Sequence, residues 1–430
     1  MFKLGLIKPD KPLRLCFESL DKVTLRLPAD YETDSLAGLR IVKRVLEKLF
    51  SNEVSYVRFD DTGNHSAIID ISHQQSELRK NYVEHFSGIK QDALISKEGL
   101  ISFNNAVGKC KGLIHVSVFF WPLFIASLFS KRKYHWPLLL MESIESDMLL
   151  RLVKAHHIKN LHYFCIYERD ANLNAYLLMQ NGVYVNKIPS EVPLAFWNKT
   201  IVSNSLSFCF AYQEEEYNNF RDTICVDEVK FWAPEKAIKA PQRFFSKGRT
   251  KTEFAYDIGF YSSGMWLRKQ ENSKFQDDSS VEREEWLLNE LFNFCKTNGR
   301  TLRIYTHPIE KWIDKREKTQ HHYQGYLEHA GVSIQDFDRS SNEEFDEVNI
   351  GIALFSTLMF ERIYFGFKTL LLPLNIAGFP IKESSFENIC VTEQKQLMGY
   401  LDKNIALSAE DFYKACGTLK YSPFLITQNE

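Results

Sequence analysis

The segment IGIALFSTLMFERIYFGFKTLLLP, residues 350–373, indicates most directly how this chain folds. Its first apolar residues predict a β-strand over Glu347–Leu354, and a helical stretch follows over Leu358–Tyr364 and stops at Gly366. A second apolar strand is predicted over Thr369–Leu372. A strand, a helix and a strand in this order form a βαβ unit, which places the two strands parallel in one sheet. The sequence therefore predicts an α/β domain in this part of the chain.

The same alternation of strand-like and helix-like stretches extends outward through both halves of the sequence. In the second half, the pattern predicts strands and helices in turn over Tyr256–Tyr261, Glu282–Lys296, Leu302–Tyr305 and Gln320–Ala330. In the first half it predicts them over Val23–Leu27, Asp34–Phe50, Ser55–Phe59, Leu138–Met141, Asp147–Ala155, Leu161–Tyr167, Ala171–Asn181 and Val183–Ile188. Strands that alternate with helices of this length are typical of parallel sheets built from βαβ units.

The alternation stops between Ala233 and Thr252, where the sequence reads APEKAIKAPQRFFSKGRTKT. Two prolines, a glycine and clustered positive charge predict a linker there. We therefore expect a first Rossmann-like domain over residues 1–235, a linker over 236–252 and a second Rossmann-like domain over 253–430. A length of 430 residues fits two domains, because single cores stop growing at roughly 250–300 residues.

Charge and cysteine usage exclude some classes of protein. The formal net charge is −2, from 53 Lys and Arg against 55 Asp and Glu, so no overall field attracts nucleic acid or an anionic membrane. The eight cysteines are scattered, without a CxxC pair or zinc-ligand spacing, which predicts reduced thiols. The N-terminal sequence lacks the apolar core and the cleavage site of a secretory signal. These features favour a cytoplasmic protein.

One apolar run, GLIHVSVFFWPLFIASLF at residues 112–129, is about as long as a short membrane span and is followed by Ser-Lys-Arg-Lys. We interpret it as part of a soluble α/β domain, with a buried strand over Gly112–Val118, a turn, and a helix that begins near Pro122. The basic and aromatic residues Lys131–Trp136 then form either a solvated loop or a peripheral contact with a membrane surface.

Small polar groups follow three predicted strands of the second domain. They are Ser262–Gly264, Thr306–Pro308 and the pair Ser356 and Thr357. In open α/β sheets, ligands bind outside the carboxyl ends of the strands, so the three turns should face one crevice. The sequence therefore predicts a ligand site at this edge of the second sheet.

The residue types in these turns suit an anionic ligand. Ser356 and Thr357 precede a helix, where backbone N–H groups and the helix dipole attract a phosphate. His307 can donate to such a group, and Pro308 fixes its turn. Ser263 and Gly264 allow a close backbone approach to the ligand.

Two charged residues complete the predicted site. Arg268 supplies positive charge, and Glu361, one turn into the helix after Thr357, lies within reach of a ribose. Each feature also has a purely structural explanation. Serine or threonine before a helix is commonly an N-cap, Ser-Ser-Gly is a common turn, and an isolated helical glutamate is commonly a surface residue. Their occurrence together, on successive strand ends, favours the ligand site.

The sequences LRIYTHP and IGIALFSTLMFERIYFGFKTLLLPL resemble the HP motif and the serine/threonine motif of bacterial GT-B sialyltransferases and related Kdo transferases. The resemblance covers roughly Asp257 to Pro373. It implies a GT-B fold with two Rossmann-like domains that face a cleft. It also implies that His307, Ser356 and Thr357 hold the phosphate of a CMP-activated sugar, with Glu361 near the ribose. Similar motifs occur in polymerases that transfer glycerol phosphate from CDP-glycerol.

The same resemblance implies that an acidic pair followed by glycine in the first domain supplies the general base. Asp60-Asp61-Thr62-Gly63 is similar to that pattern but has an additional threonine, and it can equally be a capped turn. Asp61 is the first candidate and Asp60 the second. Glu168 and Asp170, after the strand that ends at Tyr167, form a competing pair. A neighbouring like charge raises a carboxylate pKa, which favours either pair as a base at neutral pH.

The leading functional hypothesis is transfer of a sugar from a nucleotide donor to a bacterial surface glycan, either free or linked to lipid. The favoured donor is a CMP-activated nonulosonic acid such as sialic acid or Kdo. The alternatives are a UDP- or GDP-sugar transferase, a CDP-glycerol type glycerophosphotransferase and a non-catalytic binding module. No DxD-type motif follows a predicted strand, so we expect activity without a metal ion and without a cofactor other than the nucleotide sugar.

Overall fold

A computed structural model describes fifteen stretches of the chain, and the following account is limited to them. They are residues 10–22, 57–59, 63–69, 76–95, 106–129, 136–164, 171–189, 200–208, 210–219, 221–232, 242–245, 253–271, 278–354, 356–373 and 385–426.

The described strands and helices alternate along most of the chain. The strands are β1 Val57–Phe59, β2 Ser66–Ile69, β3 Ala93–Ile95, β4 Asn160–Tyr163, β5 Tyr184–Lys187, β6 Ile201–Phe208, β7 Ile224–Phe231, β8 Tyr256–Tyr261, β9 Leu302–Tyr305, β10 Val332–Ile334, β11 Val348–Ala353 and β12 Thr369–Leu371. The helices are α1 Lys11–Lys22, α2 Ser76–Ser87, α3 Ala106–Leu128, α4 Trp136–Ala155, α5 Ala171–Gln180, α6 Ala211–Asn219, α7 Met265–Glu271, α8 Asp278–Asn298, α9 Arg316–Leu327, α10 Thr357–Tyr364, α11 Leu397–Ile405, α12 Ala409–Ala415 and α13 Pro423–Ile426.

The chain separates into two compact units. The first contains Met1–Cys209 and Gln213–Ala237, and the second contains Phe210–Tyr212 and Ile238–Glu430. The sheet of the first unit has the strand order β1-β3-β2-β4-β5-β6-β7. Strand β1 is antiparallel to β3, and the other pairs are parallel. Helix α4 packs Leu149 and Val153 against Ala67, Leu161 and Val185 of this sheet.

The second unit contains a parallel sheet in the order β10-β9-β8-β11-β12. Numbered along the chain within this unit, the order is 3-2-1-4-5, the order of a doubly wound Rossmann sheet. The topological switch lies between β8 and β11. From β8 the chain adds β9 and β10 on one side, and it then adds β11 and β12 on the other side. Ligand sites of such sheets lie at the carboxyl ends of the strands beside this switch. The two sheets confirm the predicted α/β class with a Rossmann-like core in each unit.

Register brings two of the predicted turns side by side. Tyr261 at the end of β8 lies opposite Tyr305 at the end of β9, and their rings stack with centroids 4.4 Å apart. The backbone N–H of Ser262 then donates to the carbonyl of Tyr305 at 2.9 Å. The turns that follow β8 and β9 therefore begin next to each other at the same edge of the sheet.

Two strand predictions in the first half were wrong. Gly112–Val118 lies inside helix α3, which runs through Pro122 without a break, and Leu138–Met141 lies inside helix α4. Both stretches are short and mostly apolar, so they show no helical period that would separate them from a buried strand. Within the described residues, none of the helices combines the length and the apolar character needed to cross a membrane.

Candidate functional site

The turn after β8 is held by a buried carboxylate. The backbone N–H of Ser263 donates to Glu284 Oε1, and the backbone N–H of Met265 donates to Glu284 Oε2 at 3.0 Å. Gly264 has φ +65°, and its N–H donates to the Ser262 hydroxyl at 3.0 Å. Burial raises the pKa of Glu284 to about 7, against the opposing effect of the backbone donor at Ser263. The carboxylate of Glu284 on α8 therefore fixes the start of α7.

A second carboxylate holds the turn after β9. His307 caps a short 3₁₀ helix that begins with Pro308, and its backbone N–H donates to Glu310 Oε2 at 2.5 Å. Glu310 Oε1 accepts from Trp266 Nε1 at 2.5 Å and from the Tyr323 hydroxyl at 2.9 Å. Burial raises the pKa of Glu310, while these donors favour its ionised form. Glu310 therefore links the backbone of His307 to Trp266 on α7 and to Tyr323 on α9.

The two turns are in direct contact through Gly264. A Cβ atom at this position would lie 3.0 Å from Ile309 Cγ2 and 3.1 Å from His307 Cβ, closer than side chains normally pack. The positive φ also disfavours any other residue. Glycine thus lets the His307 side chain lie against the start of α7. On that helix, Arg268 Nη2 lies 3.4 Å from His307 Nε2.

The protonation of His307 follows from its contacts. Burial lowers the pKa of His307 to about 4, with a further contribution from the positive charge of Arg268, so the ring is neutral at physiological pH. Its Nδ1 accepts a hydrogen bond from the backbone N–H of Ile309 at 3.2 Å in the tautomer that carries the proton on Nε2. In this tautomer, Nε2–H and the Arg268 guanidinium are two donors that face each other across 3.4 Å. Such a pair is completed by a shared acceptor, such as a phosphate oxygen.

Four residues of the predicted site and its neighbourhood in the sequence have unpaired polar atoms. Arg268 Nε, Thr306 Oγ1, Asn342 Oδ1 and Glu361 Oε2 are buried and have no hydrogen-bond partner among the described residues. Buried polar atoms in folded proteins are almost always paired, and exceptions gather at binding sites. The nearby Lys311 differs, because its Nζ already donates to Gln335, Ser341 and the carbonyl of Arg339.

The third predicted turn follows β11, on the other side of the topological switch. Ser356 occupies the N-cap position of α10 with an extended backbone, and Thr357 is the first helical residue. Within the described part of the chain, the Ser356 side chain makes no capping hydrogen bond to α10. Ser356 is thus the N-cap residue of α10 by position, without the side-chain hydrogen bond of a capping serine. Its hydroxyl and the first N–H groups of α10 stand at the carboxyl edge of the sheet.

Glu361 lies one turn into α10 and pairs with Asn342, which precedes β11. Burial raises the pKa of Glu361 to about 7, and the hydrogen bond from Asn342 opposes this shift. A carboxyl with one unpaired oxygen and a raised pKa is stabilised in its ionised form when hydroxyl groups donate to it. The two neighbouring hydroxyl groups of a ribose are donors of this kind.

Replacement of Glu361 by glutamine is expected to reduce the pH dependence of stability. The folded-state pKa of about 7 exceeds the ordinary value of 4.5, so the folded chain holds this proton more tightly than the unfolded chain does. The stabilisation is complete below the unfolded pKa and is lost as pH rises through the folded pKa. The variant should therefore gain stability relative to the parent between about pH 5 and about pH 8. Urea denaturation at both pH values is the measurement, and an unchanged difference would contradict the assignment.

The predicted base candidates Asp60, Asp61 and Glu168 lie outside the described residues, as does Asp170. Their roles stay predictions, as do those of the donor-site residues. The sequence did not single out Glu284 or Glu310. Glu310 has a local signature, because His-Pro-Ile-Glu has the spacing of a capping box. Among the described residues, no three His, Cys, Asp or Glu side chains are grouped in a way that suits a metal ion.

Comparisons with known proteins give structural similarity at low sequence identity. No protein-family model matches the sequence, and no curated protein sequence matches it either. A UDP-N-acetylglucosamine 2-epimerase from Rickettsia bellii is similar with a TM-score of 0.44 and 8% identity, over 83% of this chain and 93% of the epimerase. A glycosyltransferase from Rickettsia africae gives 0.41 and 10%, over 85% and 96%. The wall teichoic acid polymerase TagF, soaked with CDPG, gives 0.38 and 9%, over 90% and 96%.

Proposed function

We propose that this chain is a GT-B glycosyltransferase that moves a sugar from a nucleotide donor to a glycan acceptor. The observation that carries the proposal is the close approach of His307 Nε2 and the Arg268 guanidinium, 3.4 Å apart, after the carboxyl ends of adjacent strands. Two donors 3.4 Å apart, with an unpaired Arg268 Nε beside them, suit an anionic oxygen. A nucleotide phosphate meets this requirement.

The remaining groups at this edge suit the other parts of a nucleotide. Ser356, Thr357 and the first N–H groups of α10 offer donors and a positive dipole to the same phosphate or to the next one. Glu361 offers an acceptor to the ribose hydroxyls. A neutral His307 contributes a hydrogen bond without an added charge, so Arg268 supplies the positive charge at the leaving group.

The proposed transfer forms one bond and breaks one bond. The acceptor oxygen bonds to the anomeric carbon of the donor sugar, and the bond from that carbon to the phosphate oxygen breaks. The phosphate leaves with the electron pair and is stabilised by His307, Arg268 and the end of α10. The acceptor proton passes to a carboxylate of the first unit, with Asp61 as first candidate and Asp60 or Glu168 as alternatives. We propose that these groups replace a divalent metal ion.

The favoured donor is a CMP-activated nonulosonic acid, and the favoured acceptor is a bacterial surface glycan, because of the HP and serine/threonine motifs. UDP- and GDP-sugars are the first alternative. Glycerophosphate transfer from a CDP-glycerol donor is the second, since its donor presents the same kind of phosphate to the same turns. Incubation with each donor class separates these options, because sugar transfer releases the nucleotide from an anomeric carbon and glycerophosphate transfer carries a phosphorus atom to the acceptor.

His307→Ala is expected to weaken nucleotide binding about tenfold to a hundredfold, because a hydrogen bond to a charged group is worth about 1.5–3 kcal/mol. The parent should first be screened by thermal shift with CMP, CDP, UDP and GDP, since a ligand of the native state raises the melting temperature. Calorimetric titration with the preferred nucleotide then gives the affinity of each variant.

His321→Ala is a matched control, because His321 is an exposed histidine on the outer face of α9. Its nucleotide affinity should equal that of the parent. The proposal is wrong if none of the four nucleotides stabilises the protein, or if His307→Ala and His321→Ala bind the preferred nucleotide equally well.

A further inference from the structure

Helix α3 of the first unit is apolar on both its inner and its outer face. Its inner face is anchored in the unit by Phe120 and Leu123, which are buried in one cluster with Phe17, Leu139, Leu173 and Leu177. A helix that is apolar all round is normally enclosed by protein or by lipid. Protein covers the inner face of α3, so its outer face is the part that requires an explanation.

The outer face carries a continuous row of exposed large apolar side chains, which we call the α3 stripe. Their spacing of three or four residues places them on one side of the helix. Each is between 49% and 66% exposed. The α3 stripe consists of Ile114, Val118, Trp121, Ile125 and Leu128, together with Phe129 directly after the helix. Scattered exposed apolar residues are ordinary, but a contiguous row of six marks a surface that binds something.

The stretch of sequence that contains the α3 stripe carries charges of one sign. Between Gly99 and Met141 the sequence has five basic residues and no acidic residue, whereas the whole chain has a formal charge of −2. Lys109 and Lys111 lie in the first turns of α3, and Lys131, Arg132 and Lys133 follow its end. In the sequence, Lys131 is the second residue after Phe129, the last member of the α3 stripe.

We infer that the α3 stripe docks on the surface of an anionic lipid bilayer. The helix lies flat, with its inner face on the protein and its outer row of aliphatic residues and Trp121 in the boundary between headgroups and acyl chains. Tryptophan and aliphatic side chains are favoured at this depth, and flanking lysine and arginine are attracted by anionic headgroups. This inference is independent of the proposed transferase activity.

The charge distribution argues against a second copy of the chain as the occupant. In an antiparallel pair of α3 helices, the basic run after Phe129 would come near Lys111, three residues before Ile114, of the other copy. In a parallel pair, the two basic runs would meet each other. Both arrangements bring like charges together, whereas an anionic bilayer satisfies them.

The test measures co-sedimentation of the full chain with two kinds of vesicle, phosphatidylcholine alone and phosphatidylcholine with an equal part of phosphatidylglycerol. The parent should bind the anionic vesicles more strongly, and high salt should weaken this preference. Trp121→Gln/Ile125→Gln should lower partitioning about tenfold on both vesicles, because apolar area is lost from the contact. Lys131→Gln/Arg132→Gln/Lys133→Gln should lower it about 10²-fold on the anionic vesicles and little on the neutral ones.

Two further variants keep the experiment decisive. Phe231→Gln is the control, because Phe231 is 60% exposed on β7 of the same unit and outside the α3 stripe, so its partitioning should equal that of the parent. Val118→Gln/Leu128→Gln provides an independent change within the α3 stripe if the first pair folds poorly. The inference is overturned if the parent ignores anionic vesicles, or if both stripe variants partition like the parent. It is also overturned if the parent is a dimer that the stripe variants dissociate and that does not bind vesicles.

Discussion

Arg362→Met is expected to lower the free energy of unfolding of the second unit by about 3–5 kcal/mol, because several buried acceptors lose their donor at about 1–3 kcal/mol each. Arg362 lies on α10 and is completely buried between this helix and the sheet. Its guanidinium donates to the carbonyls of Phe345 and Val348, each at 2.8 Å, and to the Tyr261 hydroxyl at 3.2 Å. Methionine fills much of the volume but leaves these acceptors buried without a donor.

The same guanidinium explains a glycine in β11. A Cβ atom at Gly351 would overlap Arg362 Nε and would lie 2.8 Å from its Cδ, so this strand position accommodates the arginine only as glycine. Arg362 thereby fixes α10 against β11 and, through α10, the position of Ser356 and Thr357 at the edge of the sheet. Loss of this arginine should disturb the candidate site as well as the stability of the unit.

Urea denaturation of the parent and the variant measures the effect on stability. Arg300→Met is the matched control, because Arg300 forms an ion pair with Asp257 at 3.1 Å and is 45% exposed. Such surface pairs contribute about 0–1 kcal/mol, so the control should unfold close to the parent. Arg362→Lys keeps the charge but offers fewer directed donors, and it should fall between the two. Equal midpoints for Arg362→Met and Arg300→Met would show that the buried hydrogen bonds contribute little.

The second unit was predicted well from the sequence because its local signals agree. Strands β8 and β9 have the predicted bounds, Tyr256–Tyr261 and Leu302–Tyr305, and α10 begins one residue before its predicted start. Gly366 has φ +80° after α10, as expected for a helix-stopping glycine. Short apolar strands bounded by polar turns, next to amphipathic helices, have hydrophobic patterns that separate strand from helix clearly.

The errors in the first unit have a common physical cause. Helix α3 faces the core with Phe120 and Leu123 and exposes Val118 and Trp121 on its other side. A sequence pattern marks a helix by the contrast between an apolar and a polar face, and α3 lacks that contrast. The prediction of a buried strand followed from this property, as did the comparison with a membrane span.

The candidate site combines groups that the sequence can and cannot reveal. Strand ends and the residues after them are local features, so the turns with His307 and Ser356 were predictable. The contact of Gly264 with His307 depends on the register of β8 and β9, and the hydrogen bonds to Glu284 join residues about twenty positions apart in the chain. Such long-range pairing leaves no spacing in the sequence, and the contact of the His307 ring with Arg268 joins residues 39 positions apart.

Asp61→Asn is expected to lower turnover by about 10²–10⁴, the usual contribution of a general base, while nucleotide affinity stays at the parental value. Asparagine keeps the shape and most of the hydrogen bonding of the side chain but cannot accept the acceptor proton. A carboxylate that follows a strand of the first unit, beside a second carboxylate at Asp60, has the neighbouring charge that raises a pKa towards neutrality. Single-turnover assays with saturating donor measure the chemical step separately from binding.

Glu168→Gln is the internal competitor in this experiment, because it removes the basicity of the other candidate with the same minimal change of shape. If Asp61 is the base, Glu168→Gln should turn over at nearly the parental rate, and the pH profile of Asp61→Asn should lose its acidic limb. Near-parental turnover in Asp61→Asn together with a collapse in Glu168→Gln would transfer the role to Glu168. If both variants remain active, Asp60-Asp61-Thr62-Gly63 is a capped turn, and the proton passes to another group of the first unit.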